Sequence, residues 1–258
     1  MAVVALAIQN VGYSYPNGTP ALRNIHLTIM AGQRVAIVGA NGSGKSTLLH
    51  HLNGLLLPQV GQVQVGPWRV APNTLRVVRN ALGLVFQNPD DQLFMPSVWE
   101  DVTFGPKNQG LSLEVQHQRA IAALEAVGFN PDDYAQRIPQ ALSGGEKKRV
   151  AIAGVLAMQP SILALDEPSA QLDPRSRRQL IHLLDRLSLT QIIATHDLDL
   201  ALDLCDRTVV LSQGEIVYDG STAAVMGDPT FLEQYALEAP LSSQRPYCLR
   251  SDGPVTNL

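Results

Sequence analysis

The stretch RVAIVGANGSGKST, Arg34 to Thr47, decides the fold. Its first half, RVAIVG, is a short β-branched run closed by Gly39, the pattern of a buried strand. Its second half fits Gly, four residues, Gly-Lys-Ser from Gly39 to Ser46, and the helical TLLHHLNGLL follows. Strand, glycine-rich turn and helix in that order make a phosphate cradle: the glycines let the main chain wrap an anion, and the first helical amides point at it. The candidate binding residues are therefore Gly39, Ala40, Asn41, Gly42, Ser43, Gly44, Lys45, Ser46 and Thr47. Lys45 is expected on the β- and γ-phosphates of a nucleotide, and Ser46 on a magnesium ion. The plain alternative is a glycine-rich turn that happens to precede a lysine.

Downstream, ILALDEP runs four apolar residues into Asp166 and Glu167. A buried strand delivering carboxylates to its C-terminal edge is where an open α/β sheet takes its ligand. Asp166 suits the magnesium shell, and Glu167 suits the water that attacks a γ-phosphate. Two acids after a strand also suit a helix cap and a solvated side chain. In ALSGGEKKRVAIAGVLA, from Ala141, Ser143 and Glu146 form a capping box, so a helix starts with its first amides uncovered beside Gly144 and Gly145. Such an end accepts phosphate, although capping boxes also start helices that bind nothing.

Around these pieces, β-branched runs recur at LAIQNVGYSY, IHLTIM, QVQV, LGLVF, QIIAT and TVVLS, with helix-period segments between several of them. The expected fold is α/β, a P-loop core with a mostly parallel central sheet, an antiparallel portion near the N-terminus and a helical insertion over about 96–155. Within that insertion Val115, Ile121, Leu124 and Val127 fall at helical spacing, and Asn130-Pro131-Asp132 stops the helix. From about 226 to 258 the prolines Pro229, Pro240, Pro246 and Pro254 suggest a small helical appendage and a tail.

The 258 residues, 45% of them hydrophobic, allow a substantial core. With 19 basic and 23 acidic residues and no block of like charge, nucleic acid is not an expected partner. Cys205 and Cys248 show neither metal-ligand spacing nor a disulfide framework, which fits a reducing cytoplasm. The opening MAVVALAI has no basic flank and is expected to be a first strand rather than a signal peptide. VAIAGVLAMQPSILAL is broken by Gln159, Pro160 and Ser161, so no membrane crossing is expected.

In this order the motifs resemble those of the ATP-binding-cassette (ABC) ATPases, over roughly residues 3 to 225. The resemblance makes LSGGEKKR the family signature, GANGSGKST its Walker A and ILALDEP its Walker B. It further implies Asp173 in SAQLD as the D-loop aspartate, His196 in ATHD as the switch histidine, and Tyr15 in YSYPNG as the aromatic that stacks on adenine. Taken singly, Tyr15 also suits a packed strand residue, and His196 a satisfied loop histidine. Gln87, in QNPDDQLF, takes the place of the family's glutamine that reaches magnesium and the attacking water. The remainder, NPDDQLF, would belong to a partner-facing loop, with Pro89 holding Asn88 extended and with Asp90 and Asp91 solvated rather than metal-binding.

More narrowly, QNPDDQLF followed by VWEDVTFGPKNQGLS resembles the ATPase subunits of energy-coupling-factor importers, especially the cobalt and nickel type. Vitamin importers, such as those for biotin, share much of this pattern. Glu146 stands where many relatives carry glutamine, and either completes the cap. The resemblance implies ATP and Mg2+ as cofactors and a peripheral place at the cytoplasmic face of the inner membrane. It implies a second cassette, a copy or a paralogue, packed head to tail. ATP then lies between Lys45 of one protomer and Leu142, Ser143, Gly144, Gly145 and Glu146 of the other. It also implies an integral-membrane coupling subunit, whose cytoplasmic helix would enter a slot beside Gln87 and the segment 96 to 127, and a substrate-binding membrane subunit. Two rivals are a soluble cassette that remodels nucleic acid or ribosomes and a nucleotide-gated scaffold with negligible turnover. The first commonly joins two cassettes or carries coiled-coil arms, and the second has no need of Glu167 and His196.

Overall fold

The computed structural model describes residues 3–243; Pro246, Cys248 and Pro254 lie outside them. The chain begins with strands β1 (Val4–Ser14), β2 (Pro20–Met30) and β3 (Arg34–Val38), helix α1 (Lys45–Leu52), strands β4 (Val60–Val65) and β5 (Trp68–Arg69), helix α2 (Leu75–Ala81) and strand β6 (Leu82–Val85). Four helices follow: α3 (Val98–Asn108), α4 (Leu113–Ala126), α5 (Pro131–Tyr134) and α6 (Gly144–Leu156). The chain then returns through β7 (Ile162–Asp166), α7 (Pro174–Arg186), β8 (Thr190–Thr195), α8 (Leu198–Leu204), β9 (Arg207–Ser212), β10 (Glu215–Ser221), α9 (Thr222–Met226) and α10 (Pro229–Gln234).

Two sheets organise these elements. β2-β1-β4-β5 is antiparallel, and β10-β9-β3-β8-β7-β6 is parallel apart from its edge strand β10. The parallel strands read as unbroken apolar runs because both of their faces are covered. Along β3, Val35 and Ile37 face a core shared with the antiparallel sheet and with Leu48, Leu49 and Leu52 of α1. Ala36 and Val38 face the opposite core, built from α3, α4, α6, α7 and α8. The alternation is the period-two geometry of a strand applied to two cores at once. It also brings β3, β6, β7 and β8 together so that the loops leaving their C-terminal ends converge.

The helical insertion differs in detail from its expected face. α4 buries Ala120, Ala123 and Leu124, whereas Ile121 is 40% exposed and Val115 only half-buried. Leu124 and, just past the helix, Val127 are buried as their spacing indicates, and the small Ala120 and Ala123 share the inward face in place of Val115 and Ile121. At the C-terminal end, α9 runs across residues 225 and 226, and Val225, Met226, Leu232 and Leu237 pack into the same core as α8. Beyond them Asp199 accepts hydrogen bonds from the Leu241 amide (3.0 Å), the Ser242 amide (3.0 Å) and the Ser242 hydroxyl (2.5 Å). No helix among the described residues is long and apolar enough to cross a membrane.

Candidate nucleotide site

The site starts where β3 ends. Gly39 has no room for a side chain, since a Cβ there would lie 2.3 Å from the Leu211 carbonyl oxygen and 2.5 Å from Ser43 Oγ. The loop turns back on itself through Ser43 N–H to the Ala40 carbonyl (3.1 Å), and Gly44, at φ 109°, leads directly into α1. Lys45 opens that helix and lies buried, its Nζ donating to the carbonyls of Gly39 (2.8 Å) and Ala40 (3.3 Å), 3.6 Å from Glu167 Oε1. A cationic head with several donors, at a helix start rich in free amides, is a receptor for a polyphosphate.

β7 supplies the acids. Asp166 is buried; burial foremost, with the Glu167 charge, pushes its carboxyl up, while a hydrogen bond from Ser46 and the charges of His50 and Lys45 oppose that shift. Its Oδ1 has no hydrogen-bond partner, which is costly for a buried acceptor. Ser46, Gln87 and Asp166 share one cavity of about 690 Å³, and their oxygen donors suit a hard divalent cation such as magnesium. Among the described residues no group of three or more His, Cys, Asp or Glu is placed to hold a metal. Any such ion here would rest on this mixed hydroxyl, amide and carboxylate set.

Glu167 is 5% exposed and sits at φ 44°, a left-handed conformation that is uncommon for a residue with a side chain. Its amide donates to the Ala194 carbonyl (2.8 Å), so the end of β8 holds it there. Its Oε2 accepts from Thr195 Oγ1 (3.2 Å), the His196 amide (3.2 Å) and His196 Nδ1 (2.8 Å). The His196 ring itself is more than half exposed. A buried carboxylate braced by a histidine at a cavity wall is equipped to orient a water molecule.

Tyr15 follows β1, with 38% of its surface exposed, its hydroxyl 2.8 Å from Thr47 Oγ1 and its ring edge-on to Tyr13. Tyr15, Asn41, Lys45, Gln87, Glu167 and His196 all line one cavity of about 520 Å³. Leu142, Ser143, Gly144, Gly145, Glu146 and Asp173 line neither of these cavities. Ser143 instead caps α6, its Oγ accepting from the Glu146 amide (3.4 Å), while Glu146 Oε2 accepts from the Ser143 amide (2.9 Å) and hydroxyl (2.7 Å). That hydroxyl bond foremost holds the Glu146 carboxyl below the ordinary range. Gly144 faces open space, while a Cβ on Gly145 would lie 2.5 Å from Ser176 Oγ. Asp173 caps α7, accepting from the amides of Arg175 (2.9 Å) and Ser176 (3.1 Å).

Sequence reasoning passed over several residues near the site. Asp90 is not simply solvated: it pairs with Lys147 of α6 at 2.7 Å. His50, one turn beyond Ser46, lines the cavity that holds Asp166; burial lowers its pKa against the pull of that carboxylate. Lys148 is 2% exposed and reaches the Phe86 carbonyl (3.3 Å) and the Gln87 carbonyl. An i,i+4 pattern places Lys148 on the same helical face as Ile152, yet nothing local says that its partner is a loop 61 residues away.

A glycine-rich loop at the edge of a parallel sheet, with an acidic strand end beside it, defines a P-loop nucleoside triphosphatase. The family model described as ABC transporter matches residues 22–170. The chain is 44% identical over 253 residues, 96% of its length and 81% of the relative's, to the energy-coupling factor transporter ATP-binding protein EcfA of Methanothermobacter thermautotrophicus. Among solved structures, it is similar to cbiO1 of Clostridium perfringens, described as part of the ABC transporter complex cbiONQ. That match has 37% identity and a TM-score of 0.79, and covers 90% of this chain and 94% of that one. A dimeric ATP-binding cassette bound to ADP and Pi matches at 30% identity and TM-score 0.75, over 84% of this chain and 98% of that one. The chain belongs to the ABC transporter family, as an ATP-binding subunit with ATP hydrolase activity.

Proposed function

We propose that the protein drives an energy-coupling-factor importer, and that its cargo is cobalt or nickel ions. The observation that carries the reading is the identity to EcfA along nearly the whole chain; the likeness to cbiO1 of the cbiONQ complex supports it. The metal cargo rests on the loop QNPDDQLF and the following VWEDVTFGPKNQGLS. A vitamin such as biotin is the second cargo, favoured by how much of that loop pattern vitamin importers share.

In the proposed cycle Tyr15 stacks on adenine, residues 39–47 wrap the phosphates and Lys45 neutralises their charge. Ser46, Asp166 and Gln87 would hold Mg2+, which offsets charge on the transferring phosphoryl group. Glu167 orients the attacking water, and His196, bonded to Glu167 at 2.8 Å, faces the γ-phosphate. Residues 142–146 act on the ATP of a second protomer, and Asp173 links the two sites. The absence of the signature segment from the chain's own cavity supports that head-to-tail arrangement, as does the likeness to a dimeric cassette. Among the described residues, those up to 225 would make up the cassette, with its helical insertion at about 96–155, and those from 226 an appendage packed against its core.

A membrane subunit's cytoplasmic helix would dock where Phe94, 60% exposed, and Phe104 meet edge-on at 5.1 Å above a groove of about 350 Å³. Exposed aromatic surface of this kind marks an interaction site. The cassette then lies peripherally on the cytoplasmic face of the membrane. The test is to solubilise native membranes gently and identify by mass spectrometry what copurifies with the tagged protein in ATP. A small integral-membrane coupling protein together with a metal-binding or vitamin-binding membrane subunit is the expected result and decides the cargo. Recovery of ribosomes or soluble partners alone overturns the importer.

A further inference from the structure

The loop that carries Gln87 is fastened to the signature helix α6 at three successive points. Lys147 pairs with Asp90 at 2.7 Å. Lys148 Nζ donates to the main-chain carbonyls of Phe86 (3.3 Å) and Gln87. One turn later the Gln92 side chain donates to the Ala151 carbonyl (3.0 Å) and accepts from the Phe86 amide (3.2 Å). The first and third of these are ordinary surface and loop contacts. The second is not, because Lys148 is 2% exposed and yet has no carboxylate among its hydrogen-bond partners.

A buried ammonium is expensive, and an apolar residue of similar length would fill the same space at lower cost. What the lysine supplies and an apolar residue does not is a donor to two consecutive carbonyls at the point where β6 ends and Gln87 begins. Those carbonyls orient the peptide groups on either side of Gln87, and hence the direction its side chain leaves the main chain. The same ammonium lies in the field of Asp166 and Glu167 while it grips the main chain at Gln87.

We propose that Lys148 is a positioning residue for hydrolysis: from the signature helix, it fixes the main chain at Gln87 so that this side chain meets the magnesium and the attacking water. The proposal rests on the ATPase reading for its consequence in turnover, though not for its structural part. It also gives one helix two duties. The N-terminal end of α6 presents Ser143 and Gly144 outward, while its next turn holds the glutamine of its own chain's site, so a shift at one end is felt at the other.

The experiment compares wild type with Lys148→Met and Lys148→Gln, alone and combined with Gln87→Ala. Residues that support a reacting group typically contribute 10-fold to 100-fold, so Lys148→Met is expected to lower kcat by roughly 10-fold or more with KM little changed. Combined with Gln87→Ala it should add almost nothing, because both changes remove the same contribution. Lys148→Gln, which keeps one donor, should fall between. Losses that multiply in the double variant, or an unchanged kcat, overturn the proposal. Amide hydrogen exchange supplies an arm independent of turnover. Exchange over Phe86–Leu93 should quicken in Lys148→Met, or in Lys148→Gln if the methionine variant does not fold, while α7 is unaffected. Unchanged protection of that loop defeats the inference even if the wild type hydrolyses ATP. Faster loop exchange in a protein without turnover would retain the tether and remove the ATPase role.

Discussion

Glu167 is where the chemistry of one residue is most exposed to test. Its carboxylate is buried, braced by Thr195 and His196, and held in a left-handed main-chain conformation by Ala194. Replacing it by glutamine keeps the shape and removes the charge. Turnover is expected to fall by about 10²-fold to 10⁴-fold, the range for a general base, while ATP affinity stays near wild type. Steady-state hydrolysis and a fluorescent-nucleotide titration measure the two separately, and normal hydrolysis would remove Glu167 from the proposed role. Lys45→Ala should do the reverse and weaken nucleotide binding itself; an unchanged affinity would refute that assignment. These residues stood out in the sequence because their motifs are local: glycine spacing before a helix and acids after an apolar strand are visible within ten positions. Lys148 did not stand out, because its partners are carbonyls that reach it only once β6 and α6 have packed. Asp101 was hidden for the same reason. It is a buried acid whose Oδ1 accepts from the amides of Phe94 and Met95 (3.2 Å each), and burial foremost pushes its carboxyl up.

At the scale of elements, α6 offers a measurement of its cap. Glu146 accepts from Ser143 twice and from Tyr134 (2.8 Å), and its carboxyl is held below the ordinary range. A depressed folded-state pKa contributes stability that is complete above the unfolded value and is lost as pH falls through the folded one. Glu146→Ala should therefore cost about 1 kcal/mol at neutral pH, the usual size of a lost cap. That deficit should shrink in acid below the ordinary carboxylate range. Thermal unfolding across pH checks it; a deficit that does not shrink would assign the effect to packing instead. Glu146→Gln should retain most of the cap at neutral pH. The capping box was plain in the sequence because it is a four-residue pattern. The face of α4 was legible only in part: Leu124 is turned inward as its spacing indicates, but so are Ala120 and Ala123, which carry little hydrophobic signal, while Ile121 is exposed. Strand β10 was missed altogether. Its EIVYDGS mixes acids and glycine among its apolar residues, and it becomes a strand by pairing with β9.

Across the whole molecule the parallel sheet divides two cores, and Cys205, at the end of α8, reports on the larger one. Its thiol is 4% exposed, and burial pushes its pKa up to about 12. Thiolate is the reactive form, so the Cys205 peptide should stay unalkylated at pH 8 and become labelled when the fold is lost. Labelling followed by peptide mass spectrometry reads this directly; rapid modification of the native protein would mean that the core opens locally. The overall architecture was legible because eight apolar runs and the helical segments between them specify an α/β fold. Which loops meet at the sheet edge was only partly legible. Lys45, Gln87 and His196 share a cavity because strand order 3-8-7-6 sets the ends of β3, β8 and β6 along one edge. Tyr15 joins them from the antiparallel sheet through its hydroxyl contact with Thr47 (2.8 Å), and no local pattern spells out either arrangement.

If residues 142–146 complete the ATP site of a second protomer, as proposed, their segregation from that cavity also sets the kinetic order of the reaction. On the proposed arrangement, a dilute solution of cassettes contains almost no complete catalytic centres, and specific activity rises with protein concentration until dimers saturate. Tethering two cassettes to one membrane subunit fixes their local concentration. An idle subunit drifting free would then consume little ATP, and expenditure would be confined to cassettes already seated on a transporter.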